Sequence, residues 1–176
     1  MKYEVIDNFL DEENFNMLRQ LFTEEYNGEQ LSTFKPCWMY QSSVAYSNST
    51  EGNLFYMTHI LYDNNIPSSP FYDKIIPLLE KLEVHGLLRI KANLYPNTYK
   101  LHEHPMHTDK NFSHSGAILS LNTCDGYTKL KDGTKIDSVA NRILLFDASE
   151  EHCSTTTTNV PARFNININY IQGQIL

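Results

Sequence analysis

"RFNININYI", Arg163 to Ile171, alternates without a break. Phe164, Ile166, Ile168 and Tyr170 share one face, and Arg163, Asn165, Asn167 and Asn169 share the other. A sustained period of two marks a β-strand, because successive side chains of a strand point to opposite sides. "LLRIKANLY" repeats the pattern: Arg89, Lys91, Asn93 and Tyr95 fall on one side, Ile90, Ala92 and Leu94 on the other. Between these two runs lie "GAILSLNT", "TKLKDGTKIDSV" and "RILLFD", short strand-like segments with turn signals at Gly126, Asp132-Gly133 and Asn141. Many short strands with regular turns predict a sandwich or barrel.

Upstream of Leu87 the period is helical. "FLDEENFNMLRQLFTEEY" reads as an amphipathic helix with Asp11 as N-cap, acidic Glu12 and Glu13 in the first turn and a Leu10–Phe15 staple. Phe15, Leu18, Leu21 and Phe22 share its apolar face. A second helical segment spans Pro70 to Leu82, with Ser69 as cap and Pro70 in the first position; Pro77 must kink or split it. The expectation is one domain, 1–176. Residues 1–86 supply helical and strand support, and 87–176 form the β core.

The net charge of −7 argues against a nucleic-acid binder, which normally carries a basic face. No apolar run is long enough to span a membrane. "MKYEVIDNFL" lacks the pattern of a signal peptide, and Cys37, Cys124 and Cys153 show no paired spacing. A reduced, cytoplasmic setting is expected.

"HEHPMHTDK", His102 to Lys110, concentrates metal-ligating groups. His107 and Asp109 have the same strand parity, so they present an imidazole and a carboxylate side by side. His102 and His104 have the other parity and precede Pro105; these two and His114 flank the motif and could face the mouth of a site, but a solvated loop is the expectation for each. The remaining ligand candidate is His152, after "RILLFD" and the acidic loop "ASEE", with 42 residues between it and Asp109. Two imidazoles and a carboxylate on one side of a metal leave positions open opposite, which suits non-haem Fe(II). Arg163 follows His152 by 11 positions on the polar face of the last strand. Buried there, it needs an anion, and a dicarboxylate would supply one through a bidentate pair. Exposed at the strand end, it would need none.

Taken in order, "RIKANLYPNTYKLHEHPMHTDK", "GAILSLNTCDGY", "SVANRILLFDASEEHCST" and "ARFNININYI" resemble the Fe(II)- and 2-oxoglutarate-dependent dioxygenases, in particular the small prolyl-4-hydroxylase-like branch of viral and bacterial type. The resemblance covers roughly the last ninety residues. It implies a double-stranded β-helix, a cupin-like jelly-roll, within a mainly β fold with N-terminal helices. It implies iron on His107, Asp109 and His152, 2-oxoglutarate on Arg163, and O2 as the other co-substrate, with ascorbate a candidate accessory reductant. Asn93 and Tyr95, with Asn165, match co-substrate contacts of alkylated-base-repair relatives. The second arginine of those relatives is absent, with Asn167 and Asn169 on the polar positions, so nucleic acid is not the expected substrate. A glycine pair common before a later core strand is also missing, "CDGYTKL" standing there. The implied reaction is hydroxylation of a C–H bond of a peptide, protein or small molecule, with release of succinate and CO2.

Two other classes fit parts of the pattern. A non-catalytic jelly-roll would bind metal without turnover. A zinc hydrolase would need a general base, Glu103 or Glu151, and would not need Arg163. Aromatic residues before the core, among them Phe34, Trp38, Tyr46, Tyr56 and Phe71, could line a substrate groove, though core packing is the commoner role. Cys153, beside His152, reads as a small buried filler.

Overall fold

The structure is a computed structural model and describes residues 2–23, 35–43 and 54–173. Phe34 and Tyr46 lie outside the described residues. The chain runs β1 (Tyr3–Ile6), α1 (Glu12–Thr23), β2 (Met39–Gln41), β3 (Tyr56–Asp63), β4 (Ile66–Pro67), a 3-10 turn (Tyr72–Ile75) and α2 (Ile76–Lys81). It continues with β5 (Val84–Pro96), β6 (Ser115–Ser120), β7 (Tyr127–Leu130), β8 (Lys135–Asp137), β9 (Ile143–Asp147), β10 (His152–Ser154) and β11 (Ala162–Gln172). A large sheet has the order β1-β9-β6-β11-β5-β3-β2, with β4 paired to β3, and a small sheet has the order β10-β7-β8. Every strand pair is antiparallel. This is the expected mainly β, jelly-roll architecture, and strands from the first half of the chain belong to the same large sheet as the core strands.

The two alternating runs make its centre. β11 pairs with β5 so that Arg163 faces Tyr95, Asn165 faces Asn93, Asn167 faces Lys91 and Asn169 faces Arg89. Matching parities put both polar rows on one face and both apolar rows on the other; a one-residue slip would exchange them. The apolar face, with Ile90, Ala92, Ile166 and Ile168 fully buried, packs under the helices. α1 contributes Phe15, Leu18 and Phe22 to that layer, each worth about 1.5–3 kcal/mol of burial. Its start follows the sequence: Asp11 Oδ1 accepts the Asn14 N–H at 2.9 Å.

The second helical segment departs from expectation at its start. Ser69 Oγ does accept the Phe71 N–H at 3.1 Å, but Tyr72–Ile75 is a 3-10 turn and α2 begins only at Ile76. Pro77 splits the segment by occupying the first turn of α2, where its missing N–H costs nothing.

The opposite face of the large sheet looks toward the small sheet, and its two halves differ. Ile118, Leu144 and Phe146 on β6 and β9 pack with Leu130 and Ala148 into a satellite apolar cluster. The β5 and β11 half is polar. The chain between β5 and β6 closes this side by running along β10. His104 N–H donates to Ser154 O, and His107 and His152 exchange both backbone hydrogen bonds, all at 2.9 Å. Asn141, with φ of 62°, ties the entry to β9 to the N-terminal segment, bonding Leu10 N at 2.9 Å and Leu10 O at 2.8 Å through its side chain.

Candidate functional site

The exchange of bonds between His107 and His152 makes them direct neighbours across two strands, with ring centroids 4.7 Å apart. Asp109 is fastened two residues on, its N–H donating to Ala148 O at 3.0 Å. Ligand atoms of these three residues lie within 4.8 Å of one another. Each imidazole directs Nδ1 at a carbonyl two residues upstream, Pro105 O at 3.2 Å for His107 and Glu150 O at 3.0 Å for His152. With Nδ1 carrying the proton, both Nε2 lone pairs remain open, which is how metal-binding histidines are normally oriented.

Asp109 is held from two sides. Oδ1 accepts from Arg89 Nη2 at 2.7 Å; Oδ2 accepts from Asn169 Nδ2 at 2.8 Å and Asn167 Nδ2 at 3.2 Å, and lies 3.9 Å from His152 Nε2. Burial alone would raise its pKa, but Lys91, then His152 and Arg89, outweigh it, and the carboxyl is held well below the usual range. It is therefore an anion, ready to bind a cation. Asn169→Leu should weaken metal binding about 10- to 100-fold while the fold persists, because it removes an orienting donor and not a ligand; calorimetric titration with Mn(II) would measure it.

Arg163 is 1 % exposed. It reaches from β11 across to the small sheet, donating from Nε to Ser138 Oγ at 2.6 Å, from Nη2 to Thr128 Oγ1 at 3.0 Å and from Nη1 to Thr155 O at 3.3 Å. All three partners are neutral, and no carboxylate among the described residues lies within ion-pairing distance. An isolated buried guanidinium is costly, so it calls for a counter-charge that no described residue supplies. Gly126 makes room for it: a Cβ there would stand 2.7 Å from Arg163 Cδ and 2.8 Å from Thr156 O. The glycine lies in the connection between β6 and β7, as its turn signal predicts, and also permits this close approach. Gly126→Ala should displace the arginine and cost about 1–3 kcal/mol, read as a lower urea midpoint.

The other sequence candidates are in the same interior. Asn93, Tyr95 and Asn165 are each at most 4 % exposed. Asn93 Nδ2 donates to Asn165 Oδ1 at 2.8 Å, and Asn93 Oδ1 is left without a partner. Tyr95 lies with its ring centroid 5.4 Å from Arg163 Cζ and is stacked on Tyr56 at 5.5 Å. Its hydroxyl interacts with Ser154 and Asn165.

Two histidines expected in solvated loops are buried: His104 is 3 % exposed and His114 5 %. Only His102 is exposed. For His104 the cause is Pro105-Met106, which breaks strand parity, so that His104 and His107 both face inward although three positions apart. Glu103 points the other way, bonded to Lys129 and Tyr127 at 2.7 Å on the outer side of the small sheet. His114 binds Phe112 O through Nδ1 at 2.8 Å and keeps a buried, unpartnered Nε2. Arg89, Asn167 and Asn169 were not singled out for Asp109. Their shared parity with Asn93 and Arg163 was the available signal.

Burial holds His104 and His107 both at about 4, the charge of Arg163 adding to the effect at His104 and His152 at His107. An unfolded histidine titrates near 6.5, so below that pH the unfolded chain takes up protons that the folded one refuses. Stability of the metal-free protein should be full above pH 6.5. It should fall as the pH drops toward 4, by up to about 1.4 kcal/mol per pH unit for each group, measured as urea midpoints across that range.

The sequence matches no family model and no curated protein. The fold does match solved structures. A prolyl hydroxylase from Trichoplax adhaerens, in complex with a hypoxia inducible factor peptide fragment, superposes with a TM-score of 0.67 at 16% identity, over 97% of this chain and 83% of that one. A 2OG-Fe(II) oxygenase family protein from Burkholderia pseudomallei gives 0.66 at 9% identity, over 98% and 86%. A viral collagen prolyl hydroxylase from Paramecium Bursaria Chlorella virus-1, in its 2OG complex, gives 0.56 at 12% identity, over 99% and 97%. The chain thus has the fold of prolyl hydroxylases and related 2OG-Fe(II) oxygenases.

Proposed function

We propose that this chain is an Fe(II)- and 2-oxoglutarate-dependent oxygenase that hydroxylates a C–H bond of a peptide, protein or small-molecule substrate. The observation that carries the reading is Arg163, a buried cation whose partners among the described residues are all neutral, in the same polar interior as the His107–Asp109–His152 trio. That donor set suits Fe(II), and the unpaired guanidinium suits the far carboxylate of a keto-diacid that chelates the metal. Bound there, iron and 2-oxoglutarate supply the oxidising chemistry with O2, yielding succinate and CO2.

The protein's part is positional. His107 and His152 offer Nε2 because backbone carbonyls hold Nδ1. Asp109 offers an ionised carboxylate whose direction Arg89 and Asn169 set. Arg163 fixes the co-substrate's far end, and Asn93, Tyr95 and Asn165 line its path. The two packed sheets keep bulk water from the reacting atoms. Retention of Asp109 favours hydroxylation over halogenation, which needs that coordination position for halide. A peptide or protein substrate draws support from the peptide-bound neighbour of the same fold. A reducing, cytoplasmic setting is part of the reading, in line with three free cysteines, of which Cys153 is a buried filler.

A zinc hydrolase is less well supported. Glu103 is committed to Lys129 and Tyr127 and faces away from the trio, Glu151 is exposed, and Arg163 would have no use. Incubation with Fe(II), ascorbate and 2-oxoglutarate under air tests the proposal. Succinate should form, and 2-oxoglutarate should raise the melting temperature of the metal-loaded protein. Metal binding with neither effect would leave a non-catalytic jelly-roll.

A further inference from the structure

The described histidines sort by how their ring nitrogens are used. His59 has both paired, Nδ1 with Cys37 O at 2.9 Å and Nε2 with Ser69 Oγ at 2.8 Å, as a structural imidazole should. His107 and His152 have Nδ1 paired and Nε2 facing the trio's centre. His104 is 97 % buried and neither of its ring nitrogens has a partner. A buried polar ring left wholly unsatisfied destabilises the folded chain, and packing alone would be served better by phenylalanine or leucine.

Its surroundings indicate what would satisfy it. The His104 ring lies 5.3 Å from the Tyr95 ring, whose centroid is 5.4 Å from the Arg163 guanidinium. His104 is also close enough to Arg163 and His107 to feel their charges. Its backbone is pinned by the bond from its N–H to Ser154 O. Arg163, after its three bonds to neutral groups, still lacks a counter-anion among the described residues. One anionic group beside Tyr95 would give Arg163 its counter-charge and one ring nitrogen of His104 its acceptor, since a carboxylate has lone pairs for a guanidinium and an imidazole N–H together.

We propose that His104 is a second anchor for the co-substrate, its ring N–H donating a hydrogen bond to the distal carboxylate that Arg163 pairs with. This rests on the oxygenase reading and adds to it a specificity residue for the length and second charge of the keto acid. In this role His104 binds co-substrate and takes no part in holding the metal.

The test is calorimetric titration of Mn(II)-loaded wild type, His104→Phe and His104→Gln with two chelators. One is 2-oxoglutarate. The other is oxalate, which can chelate the metal but has no distal carboxylate. His104→Phe should raise the Kd for 2-oxoglutarate about tenfold and leave those for oxalate and Mn(II) within about twofold. His104→Gln, which keeps an N–H, should recover part of the loss. The ligand-free Phe variant should melt at or above the wild-type temperature, because an unsatisfied ring has been replaced by an apolar one. Unchanged 2-oxoglutarate affinity in His104→Phe, or equal losses for both chelators, overturns the assignment and leaves the oxygenase reading standing. Failure of wild type to bind 2-oxoglutarate overturns both. If phenylalanine does not pack, His104→Ala carries the same comparison.

Discussion

Asp109→Ala should reduce succinate formation to the assay background and abolish saturable Mn(II) binding. Two effects add. The change removes the only anionic ligand of the trio, and it strips the counter-charge from Arg89 at 2.7 Å and from Lys91, which burial and Arg89 already pull down to about 8. Breaking a largely buried pair by removing one partner costs about 3–5 kcal/mol, and partial exposure of Arg89 puts this case at the lower end. The variant should therefore melt below wild type as well as lose turnover. His152→Ala separates the two consequences. It removes a ligand but keeps the Arg89–Asp109 bond, so turnover should vanish with a smaller loss of stability. Turnover surviving in either folded variant, at more than about a hundredth of wild type, would remove the metal trio from the mechanism.

Arg163→Met gives the second large effect, and its sign differs between the free and bound protein. In the free protein the guanidinium is buried with neutral partners, so an apolar side chain of similar length should leave stability unchanged or raise it. In the complex the loss is that of a charge-assisted, buried contact, worth about 2–5 kcal/mol, and the Kd for 2-oxoglutarate should rise by a factor of about 30 or more. Metal affinity should hold, because Arg163 touches none of the three ligands. Titrating Mn(II) and 2-oxoglutarate separately into the variant reads both quantities. Equal 2-oxoglutarate affinity in wild type and Arg163→Met would mean that another cation receives the carboxylate, Lys91, whose charge acts on Asp109, being the candidate.

The Arg163 side of this site was legible because it is built on two regular strands. Parity alone grouped Asn93 and Tyr95, and separately Arg163 and Asn165, and the register of β5 against β11 merely superimposed the two groups. The same parity argument failed at His104, since it holds only while the strand stays regular and Pro105 ends that. Gly126 lies in the connection before β7, as its turn signal predicts, but its second role is not visible in sequence. A glycine that permits a turn and a glycine that permits a close approach look alike until the approaching group, here Arg163 from 37 positions later, is in view.

What the sequence by itself determined is therefore local: strand periods, the helix cap at Asp11, and which residues within one strand share a side. Only the tertiary structure decided that the polar side of β5 and β11 looks inward. It alone set the backbones of His107 and His152 side by side and, among the described residues, left Arg163 without an anion and the His104 ring without a partner. Periodicity depends on backbone geometry over a few residues, which the chain carries wherever it goes. Satisfaction of a buried charge or ring depends on groups brought together from distant positions, and no local pattern encodes that.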